Sequence, residues 1–440
     1  MRRYSDLLKT LSIMLLSVSA IFLVALSVFP RSDRMTAKPY IRTEAPSLRW
    51  LGISGITCYD GVERLGAVYL PETMDSCVSA LSEGLSRAMD TAGTLSPTQE
   101  SDWLIALATR CVYITFREAL PAEIVWYAFG SENVPQRESF PTDVTGSFAQ
   151  TPALELSALI LTPDVTGNTA KLLFRDSEGQ YYSAATALPA DAIGSLDGVG
   201  VPVRLAAELG DPYTAYLPAD TLLSDEIGLP TYTIERRISF GPQDFNLLSR
   251  LLTAFSVDPY TDSGYTDASG LRIYKSAAGT LSLSPEGAVH FSAGQSDAGI
   301  PCTDTGNSEL LIALAGAVEL LQKAGGNEKT VQYSLLEVTL GDGYTFTFGA
   351  AVGGVPLMFE NKLITGKVTV RNRQIVDAEF LHISATEDIG LSTGVLTGRQ
   401  AYGAFCADKP VGKSLRLVYR LDDFAAAPAW ITTRKEADDR

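Results

Sequence analysis

The stretch VQYSLLEVTLGDGYTFTF, residues 331–348, decides the fold class of this chain. It contains two runs that are rich in β-branched and aromatic residues, 331–340 and 344–348. The sequence Gly341-Asp342-Gly343 separates them and is typical of a turn between neighbouring strands. The stretch therefore predicts a pair of antiparallel strands, the first part of a meander that continues to residue 383.

The rest of the chain alternates between strand patterns and helix patterns. Helices are indicated where apolar residues recur at spacings of three and four, and strands where β-branched and aromatic residues cluster between turn residues. This order of elements predicts an α+β fold with antiparallel sheets and helices packed on one face. The predicted helices cover residues 74–92, 99–108, 245–255, 309–321 and 397–405, and further strands cover 111–116, 153–161, 171–174, 181–185, 231–240, 271–274, 281–283, 288–291, 367–370, 375–383, 415–421 and 430–433.

Three local patterns support these assignments. Cys77 falls on the apolar stripe of the helix at 74–92. The sequence Ser96-Pro97-Thr98-Gln99 has the form of a capping box with Pro97 at the first helical position. Asp176-Ser177-Glu178-Gly179 predicts a hairpin turn with the glycine at positive φ.

Composition excludes several classes of protein. The chain has 440 residues and an ordinary globular balance, with 46% hydrophobic and 20% charged residues. That length suits two domains. The net charge of -16 argues against a nucleic-acid-binding protein and against adhesion to anionic lipid headgroups, since both targets require basic surfaces.

The amino terminus predicts a single membrane anchor. Residues 1–9 carry a local charge of about +2, and residues 10–30 are uncharged and rich in leucine, isoleucine and valine. A helix rises about 1.5 Å per residue, so this segment would cross a hydrocarbon core of roughly 30 Å. A cleaved signal peptide is the alternative, but the apolar segment is long and its best cleavage site, near Ala25, is poor.

The predicted organisation follows from that anchor. Residues 1–9 form a cytoplasmic tail, 10–30 the transmembrane helix and 31–47 a juxtamembrane linker. An amino-terminal α+β domain at 48–235 and a carboxy-terminal α+β domain at 240–434 complete the chain. The short tail and the absence of a second comparable apolar run favour a single-pass protein of the cell membrane with its ectodomain outside.

No sequence motif identifies a catalytic, cofactor-binding or metal-ligating residue. The chain lacks G-x-S-x-G, S-x-x-K and H-E-x-x-H patterns. Its histidines, His290 and His382, both lie in predicted strands, where a structural role is far more common than a catalytic one. The sequence therefore predicts neither an enzyme nor a bound cofactor.

Other candidate sites also have simpler interpretations. Asp258, Asp262 and Asp267 lack the spacing of a calcium loop and are typical of a solvated turn. The glycines of Gly198-Val199-Gly200 and of Gly353-Gly354 predict turns rather than phosphate-binding loops. Paired carboxylates could serve a glycosidase, but 51 acidic residues make some close pair inevitable.

Five cysteines are too few and too widely spaced for a disulfide framework. We expect them to act mostly as small buried apolar residues. They are Cys58, Cys77, Cys111, Cys302 and Cys406.

The order of elements, together with four segments, resembles the YycH/YycI family, whose members are accessory regulatory proteins of the WalK two-component sensor kinase in low-GC Gram-positive bacteria. A short tail, one amino-terminal span and a two-part α+β ectodomain follow the pattern of that family. The four segments are the helix pair 74–92 and 99–108 followed by CVYI at 111–114; LRIY at 271–274 through GTL at 279–281 to SPEG at 284–287; YTFTF at 344–348 with GVPL at 354–357 and VTV at 368–370; and LVY at 417–419 leading to PAW at 428–430.

The resemblance implies a regulatory protein that acts by protein–protein contact. Its expected partners are a sensor histidine kinase and a sister accessory protein or a second copy of this chain, and the expected process is cell-wall metabolism. Two alternatives stay open: an anchored cell-envelope hydrolase that uses carboxylates, and an extracytoplasmic ligand-binding or scaffold protein.

Overall fold

A computed structural model describes residues 51–68, 71–129, 154–165, 167–225, 229–241, 245–259, 264–294, 298–303, 308–325, 330–392, 394–411 and 413–434. The predicted tail, anchor and linker at residues 1–47 lie outside these residues. Within the described part of the chain, no helix combines the length and apolar character needed to span a membrane.

The described helices agree closely with the predicted ones. All five predicted helices are present, and their starts and ends differ from the predicted ones by about one turn at most. The helices are α1 Pro71–Asp90, α2 Glu100–Leu107, α3 Ala122–Ala128, α4 Ala206–Leu209, α5 Tyr213–Tyr216, α6 Phe245–Ala254, α7 Glu309–Gly325 and α8 Gly398–Ala407.

The first half of the described chain forms a nine-stranded antiparallel sheet, in the order β3-β7-β6-β5-β4-β1-β2-β8-β9. Its centre is β4, a long strand whose partners are β1 and β5. The strands are β1 Ile53–Tyr59, β2 Arg64–Val68, β3 Ser96–Thr98, β4 Cys111–Pro121, β5 Glu155–Pro163, β6 Thr169–Asp176, β7 Tyr181–Pro189, β8 Val201–Leu205 and β9 Leu222–Ser224.

Helices cover both faces of this sheet. Val112 and Ile114 of β4 share an apolar core with the stripe of α1 that contains Cys77. Tyr113 lies between them in sequence and belongs to a second core with Trp103 of α2. Because successive side chains of a strand point to opposite faces, α1 and α2 must lie on opposite sides. The prediction of helices on one face is therefore wrong for α2.

Three of the four residues predicted to form the capping box of α2 form a strand, and Gln99 is the N-cap residue. Ser96–Thr98 pairs with β7, and Pro97 lies opposite Tyr182. The helix begins later, at Glu100, and Thr98 Oγ1 donates to Asp102 Oδ2 at 2.6 Å. The prediction that Pro97 is the first helical residue is wrong, because an edge strand also tolerates a residue that lacks an N–H donor.

The second half forms a fifteen-stranded sheet whose main order is β11-β12-β13-β14-β21-β20-β17-β18-β23-β24-β10-β22. Three further strands lie off this path and pair with it: β15 with β21, β16 with β17 and β19 with β18. The strands are β10 Pro230–Glu235, β11 Tyr265–Thr266, β12 Arg272–Lys275, β13 Thr280–Leu283, β14 Ala288–Ser292, β15 Ile300–Pro301, β16 Val331–Leu340, β17 Tyr344–Val352, β18 Val355–Phe359, β19 Lys362–Leu363, β20 Thr365–Arg371, β21 Gln374–Leu381, β22 Ser384–Ser392, β23 Lys413–Asp422 and β24 Ala425–Arg434.

The predicted meander is present, with one insertion. β16, β17, β20 and β21 pair antiparallel, as their sequence indicates, with register shifts between Leu335 and Glu337 and between Thr369 and Val370. The short strands β18 and β19 leave the meander after Val352, and β18 pairs in parallel with β23. This sheet is therefore mixed, which corrects the prediction of antiparallel sheets alone.

Helices α6 and α7 close the core of the second sheet. Phe255, which follows α6, stacks near Phe291 and Phe380 with ring centroids 5.5 and 6.1 Å away. All three rings are buried, and each contributes roughly 1.5–3 kcal/mol through apolar burial. The amphipathic pattern that predicted both helices thus reflects burial against one sheet.

The cysteines match their expected role. All five are free, and Cys58, Cys77, Cys111 and Cys406 are buried, whereas Cys302 is half-buried. Burial raises the pKa of Cys77 to about 11, so its thiol stays protonated at neutral pH. The strands change from the first sheet to the second between Ser224 and Pro230; the division into domains at 48–235 and 240–434 stays a prediction.

Candidate functional site

A cleft of about 470 Å³ lies where the two sheets meet. Its walls come from β1, β4 and α1 on one side and from β16, β17, β18, β23 and β24 on the other. Small-molecule sites usually fall within roughly 300–1,000 Å³ and are mostly apolar. Apolar residues at the walls include Ile53, Phe116, Ala350, Ala351, Val355 and Leu417.

Small residues keep the second-sheet wall open. Gly349, Ala350 and Ala351 follow one another on β17, and Gly353-Gly354 forms the turn into β18. A Cβ at Gly349 would lie only 3.0 Å from Leu336 Cδ1. Gly353 and Gly354 adopt φ values of +52° and +76°, which side-chain-bearing residues rarely tolerate. The glycines predicted to form a bend therefore shape the cleft as well.

Arg117 crosses the cleft from the first sheet to the second. Its backbone N–H donates to Gly52 O at 2.9 Å, beside an irregularity in the pairing of β4 with β5. Its guanidinium donates to Ser334 Oγ at 3.3 Å and to the carbonyl oxygen of Gly354. One side chain thereby ties β4 to β16 and to the β17–β18 turn.

The charge on Arg117 lacks a carboxylate partner among the described residues, since both of its side-chain acceptors are neutral. Burial lowers the pKa of Arg117 to about 10, while Glu118 acts in the opposite direction and Arg416 in the same direction. The group still carries a positive charge at neutral pH. A partly desolvated cation that faces an apolar cleft can receive an anion.

The nearest acid is already engaged. Glu118 Oε1 accepts from Arg416 at 3.2 Å across the rim of the cleft. The side chains of Arg416 and Glu118 are 52% and 36% exposed, so this ion pair contributes little to stability. In the described part of the chain, Arg117 therefore has neutral acceptors and no carboxylate that accepts a hydrogen bond from it.

A second ionic cluster lies at the far side of the cleft, where Asp220 accepts three hydrogen bonds. The donors are Trp103 Nε1 at 3.3 Å, Tyr113 OH at 3.0 Å and the guanidinium of Arg175. Burial, followed by the charge of Asp220, raises the pKa of Tyr113 well above its usual range. These groups are held by one another, and the cluster behaves as a structural unit.

The two histidines do not meet at this site, since neither His290 nor His382 lines the cleft. His290 is half exposed on β14, and its Nε2 lies 3.4 Å from Asp377 Oδ1. His382 is buried just after β21, and burial followed by the charge of Arg250 lowers its pKa to about 4. Its backbone N–H donates to Gly287 O at 2.8 Å.

Of the three aspartates considered for a calcium loop, Asp267 lies in a turn, as predicted. Asp267 Oδ1 accepts from the backbone N–H groups of Ser269 and Leu271 at 2.9 and 3.0 Å. Asp262 lies outside the described residues. In the ranges that the structure describes, no group of three or more His, Cys, Asp or Glu side chains is arranged to hold a metal. Gly198, at φ +75°, lies in a turn as predicted.

Sequence reasoning missed both Arg117 and Asp220. Arg117 has a faint signal, since it is a cation that follows the apolar run CVYITF at 111–116. Asp220 has none, because its three partners lie 45 to 117 residues away along the chain. The cleft is formed by residues from both halves, and local patterns do not indicate which strands will face one another.

No protein-family model and no curated protein matches this chain. Among solved structures, it is similar to the crystal structure of YycH from Bacillus subtilis, with 11% identity and a TM-score of 0.46, over 89% of this chain and 96% of that chain. It is also similar to an uncharacterized protein from Eubacterium rectale ATCC 33656, with 12% identity and a TM-score of 0.31, over 47% of this chain and 76% of that chain. Neither similarity indicates what this chain binds.

Proposed function

We propose that this chain is a membrane-anchored, extracytoplasmic regulator of a two-component sensor histidine kinase that controls cell-wall metabolism. It acts by protein–protein contact and performs no catalytic step. Residues 10–30 supply the anchor, and the ectodomain carries the binding surfaces. A sister accessory protein or a second copy of the chain is a further partner.

The observation that carries this proposal is where the family-like segments lie in the fold. Three of the four segments that resemble the YycH/YycI family contribute residues to the cleft walls. They supply Tyr113 on β4, Gly354 and Val355 at the start of β18, and Leu417 and Val418 on β23. Segments that are far apart in sequence thus converge on one surface, which supports a shared binding role for it.

The state of the polar groups supports binding rather than turnover. The carboxylates of Asp220 and Glu118 are held by arginines, and the hydroxyl of Tyr113 donates to Asp220. A general acid or nucleophile has to reach a substrate atom, whereas these groups are committed to protein partners. A fixed, mainly apolar cleft suits recognition.

The proposal is tested by affinity capture from the native membrane after crosslinking. The full-length chain is compared with a form that lacks residues 1–30 and with a full-length form whose residues 10–30 are replaced by an unrelated apolar span of equal length. Captured proteins are identified by mass spectrometry. We expect a sensor histidine kinase with the full-length chain.

The two variants locate the contact. Loss of the kinase from both variants would assign the contact to the specific span, and loss from the truncated form alone would indicate that any anchor suffices. Retention by both would place the contact in the ectodomain. If repeated experiments capture no histidine kinase with any of the three forms, the proposal is contradicted.

A second candidate function, extracytoplasmic ligand binding, is favoured by the size and apolar character of the cleft. It is compatible with regulation, because a ligand that binds only one state of a regulator shifts its equilibrium.

A further inference from the structure

The ionic groups along the cleft can be matched one by one. Arg175 pairs with Asp220, and Arg416 pairs with Glu118 at 3.2 Å. Asp75 of α1 also lines the cleft, but it has an interaction of its own, and it is not among the charges that act on Arg117. Among the described residues, Arg175 and Arg416 each form an ion pair with a carboxylate, whereas the guanidinium of Arg117 donates to neutral acceptors.

Arg117 also has donors to spare. A guanidinium carries five N–H donors, and the described hydrogen bonds go to two acceptors, Ser334 Oγ and the carbonyl of Gly354. An anion in the cleft could accept from the others in the forked geometry that arginine offers to carboxylates. The two existing hydrogen bonds fix the side chain, so little conformational freedom is lost on binding.

The surroundings of Arg117 favour a ligand with an apolar body. The adjacent walls consist of apolar side chains from β4, β17 and β18. They are Phe116, Ala350, Ala351, Val355 and Met358. Burial of apolar ligand surface contributes roughly 25 cal/mol per Å². A small inorganic anion would leave these walls unfilled.

A single unneutralised cation suits a single negative charge. A carboxylate provides one charge and two acceptor oxygens, whereas a phosphate monoester carries nearly two charges at neutral pH. In a partly desolvated site the second charge would remain unpaired, which is costly.

We propose that the cleft binds a small amphiphile with a carboxylate head, whose head lies on Arg117 and whose apolar body lies against the β17–β18 wall. Nothing in this assignment depends on the kinase partner, because binding is measured on the isolated protein. Failure of the ligand experiment would therefore leave the capture experiment, and the function that it tests, unaffected.

The test uses the full-length chain in amphipol with decanoate and its neutral analogue decanamide, both titrated calorimetrically. We expect the wild-type chain to bind decanoate at least about tenfold more tightly than decanamide, since a charge-assisted hydrogen bond is stronger than a neutral one. Arg117→Gln should weaken decanoate binding at least about tenfold and change decanamide binding by less than about twofold. Arg117→Lys should restore part of the loss.

A matched control removes an arginine elsewhere. Arg371 lies outside the cleft, and its guanidinium is 3.6 Å from Asp342. Arg371→Gln should leave both affinities within about twofold of wild type, since surface charges act weakly over a distance.

A second cleft variant keeps the test decisive if Arg117→Gln does not fold. Leu363 lines the cleft and is 37% exposed, so Leu363→Asp should fold normally while it places a charge on an apolar wall. It should weaken both ligands at least about fivefold. Decanoate binding that is absent from the wild type, or unchanged in Arg117→Gln and Leu363→Asp, would overturn the proposal. Binding of a peptide with a free carboxy terminus in place of decanoate would also overturn it and would assign the cleft to a protein chain end.

Discussion

Two arginines that line the same cleft, Arg175 and Arg117, have opposite surroundings. Arg175 meets the buried carboxylate of Asp220, which also accepts from Trp103 and Tyr113. Arg117 meets a hydroxyl and a carbonyl, and the acid beside it is paired with Arg416. A fully matched charge network is costly to break at one partner, whereas an unmatched cation at an apolar wall is a candidate for recognition. The contrast separates the structural part of the cleft from its binding part.

Removal of the Asp220 carboxylate from its network with Arg175, Trp103 and Tyr113 should produce the largest loss of stability. Asp220→Asn leaves the partly buried guanidinium of Arg175 without its counter-ion and weakens two buried donors. We expect the free energy of unfolding, measured by urea denaturation, to fall by about 3–5 kcal/mol.

The matched control for that change is Asp225→Asn, at an exposed carboxylate 3.2 Å from Arg399. Its cost should stay below about 1 kcal/mol. Similar costs for Asp220→Asn and Asp225→Asn would remove the distinction between a structural network and a surface pair.

His382 is a buried ionisable side chain that is neutral in the folded protein, in contrast to the two charged arginines. Burial lowers its pKa to about 4 from an ordinary value of 6.5, so the unfolded chain binds more protons than the folded chain between these values. The stability contribution of the neutral side chain is therefore complete above pH 6.5 and is lost as the pH falls towards 4. The expected loss is about 3 kcal/mol.

The measurement for His382 is the free energy of unfolding of wild type and His382→Gln at several values between pH 4 and pH 7. The difference between the two proteins isolates this residue from the carboxylates, which titrate in both. His290→Gln, at an exposed position beside Asp377, should follow the wild-type curve within about 0.5 kcal/mol. Parallel curves for wild type and His382→Gln would show that burial does not act on this side chain as described.

Arg117→Met should change stability far less than Asp220→Asn. The substitution removes a cation that has no counter-ion among the described residues and replaces it with an apolar chain of similar length. Exchange of a buried charge for an apolar group is often neutral or stabilising, so we expect a change within about 1 kcal/mol in urea denaturation. A loss above about 3 kcal/mol would instead make Arg117 part of the structural network.

The ion pair between Glu118 and Arg416 at the rim of the cleft should contribute least to stability. Glu118→Gln removes the carboxylate that accepts from Arg416, but both side chains are partly exposed, and we expect the free energy of unfolding to change by less than about 0.5 kcal/mol. Decanoate should bind to this variant slightly more tightly than to wild type, because one negative charge near Arg117 is gone. Weaker decanoate binding by Glu118→Gln would argue against an anion at Arg117.

The sequence predicted the elements of this fold better than their arrangement. The apolar stripes of α1, α6 and α7 and the antiparallel pairing of β16 with β17 follow from local patterns, which each segment carries by itself. The strand at Ser96–Thr98 was not predicted, because proline before a helical pattern is equally typical of a first helical turn. The parallel pairing of β18 with β23 joins residues about 60 positions apart, a distance over which no local pattern operates.

The candidate site was even harder to predict from the sequence than the fold. Arg117 and its acceptors, Ser334 and Gly354, are separated by 217 and 237 residues. Whether a given arginine has a carboxylate partner depends on the packing of two sheets and cannot be read from composition.

The most direct test of the contrast between the two arginines is a crystal structure of the full-length chain with decanoate. We predict a carboxylate within hydrogen-bonding distance of the Arg117 guanidinium, about 2.7–3.2 Å, with the Arg175–Asp220 pair unchanged. Decanoate bound away from Arg117, or bound at Arg175 with its ion pair to Asp220 broken, would contradict the account.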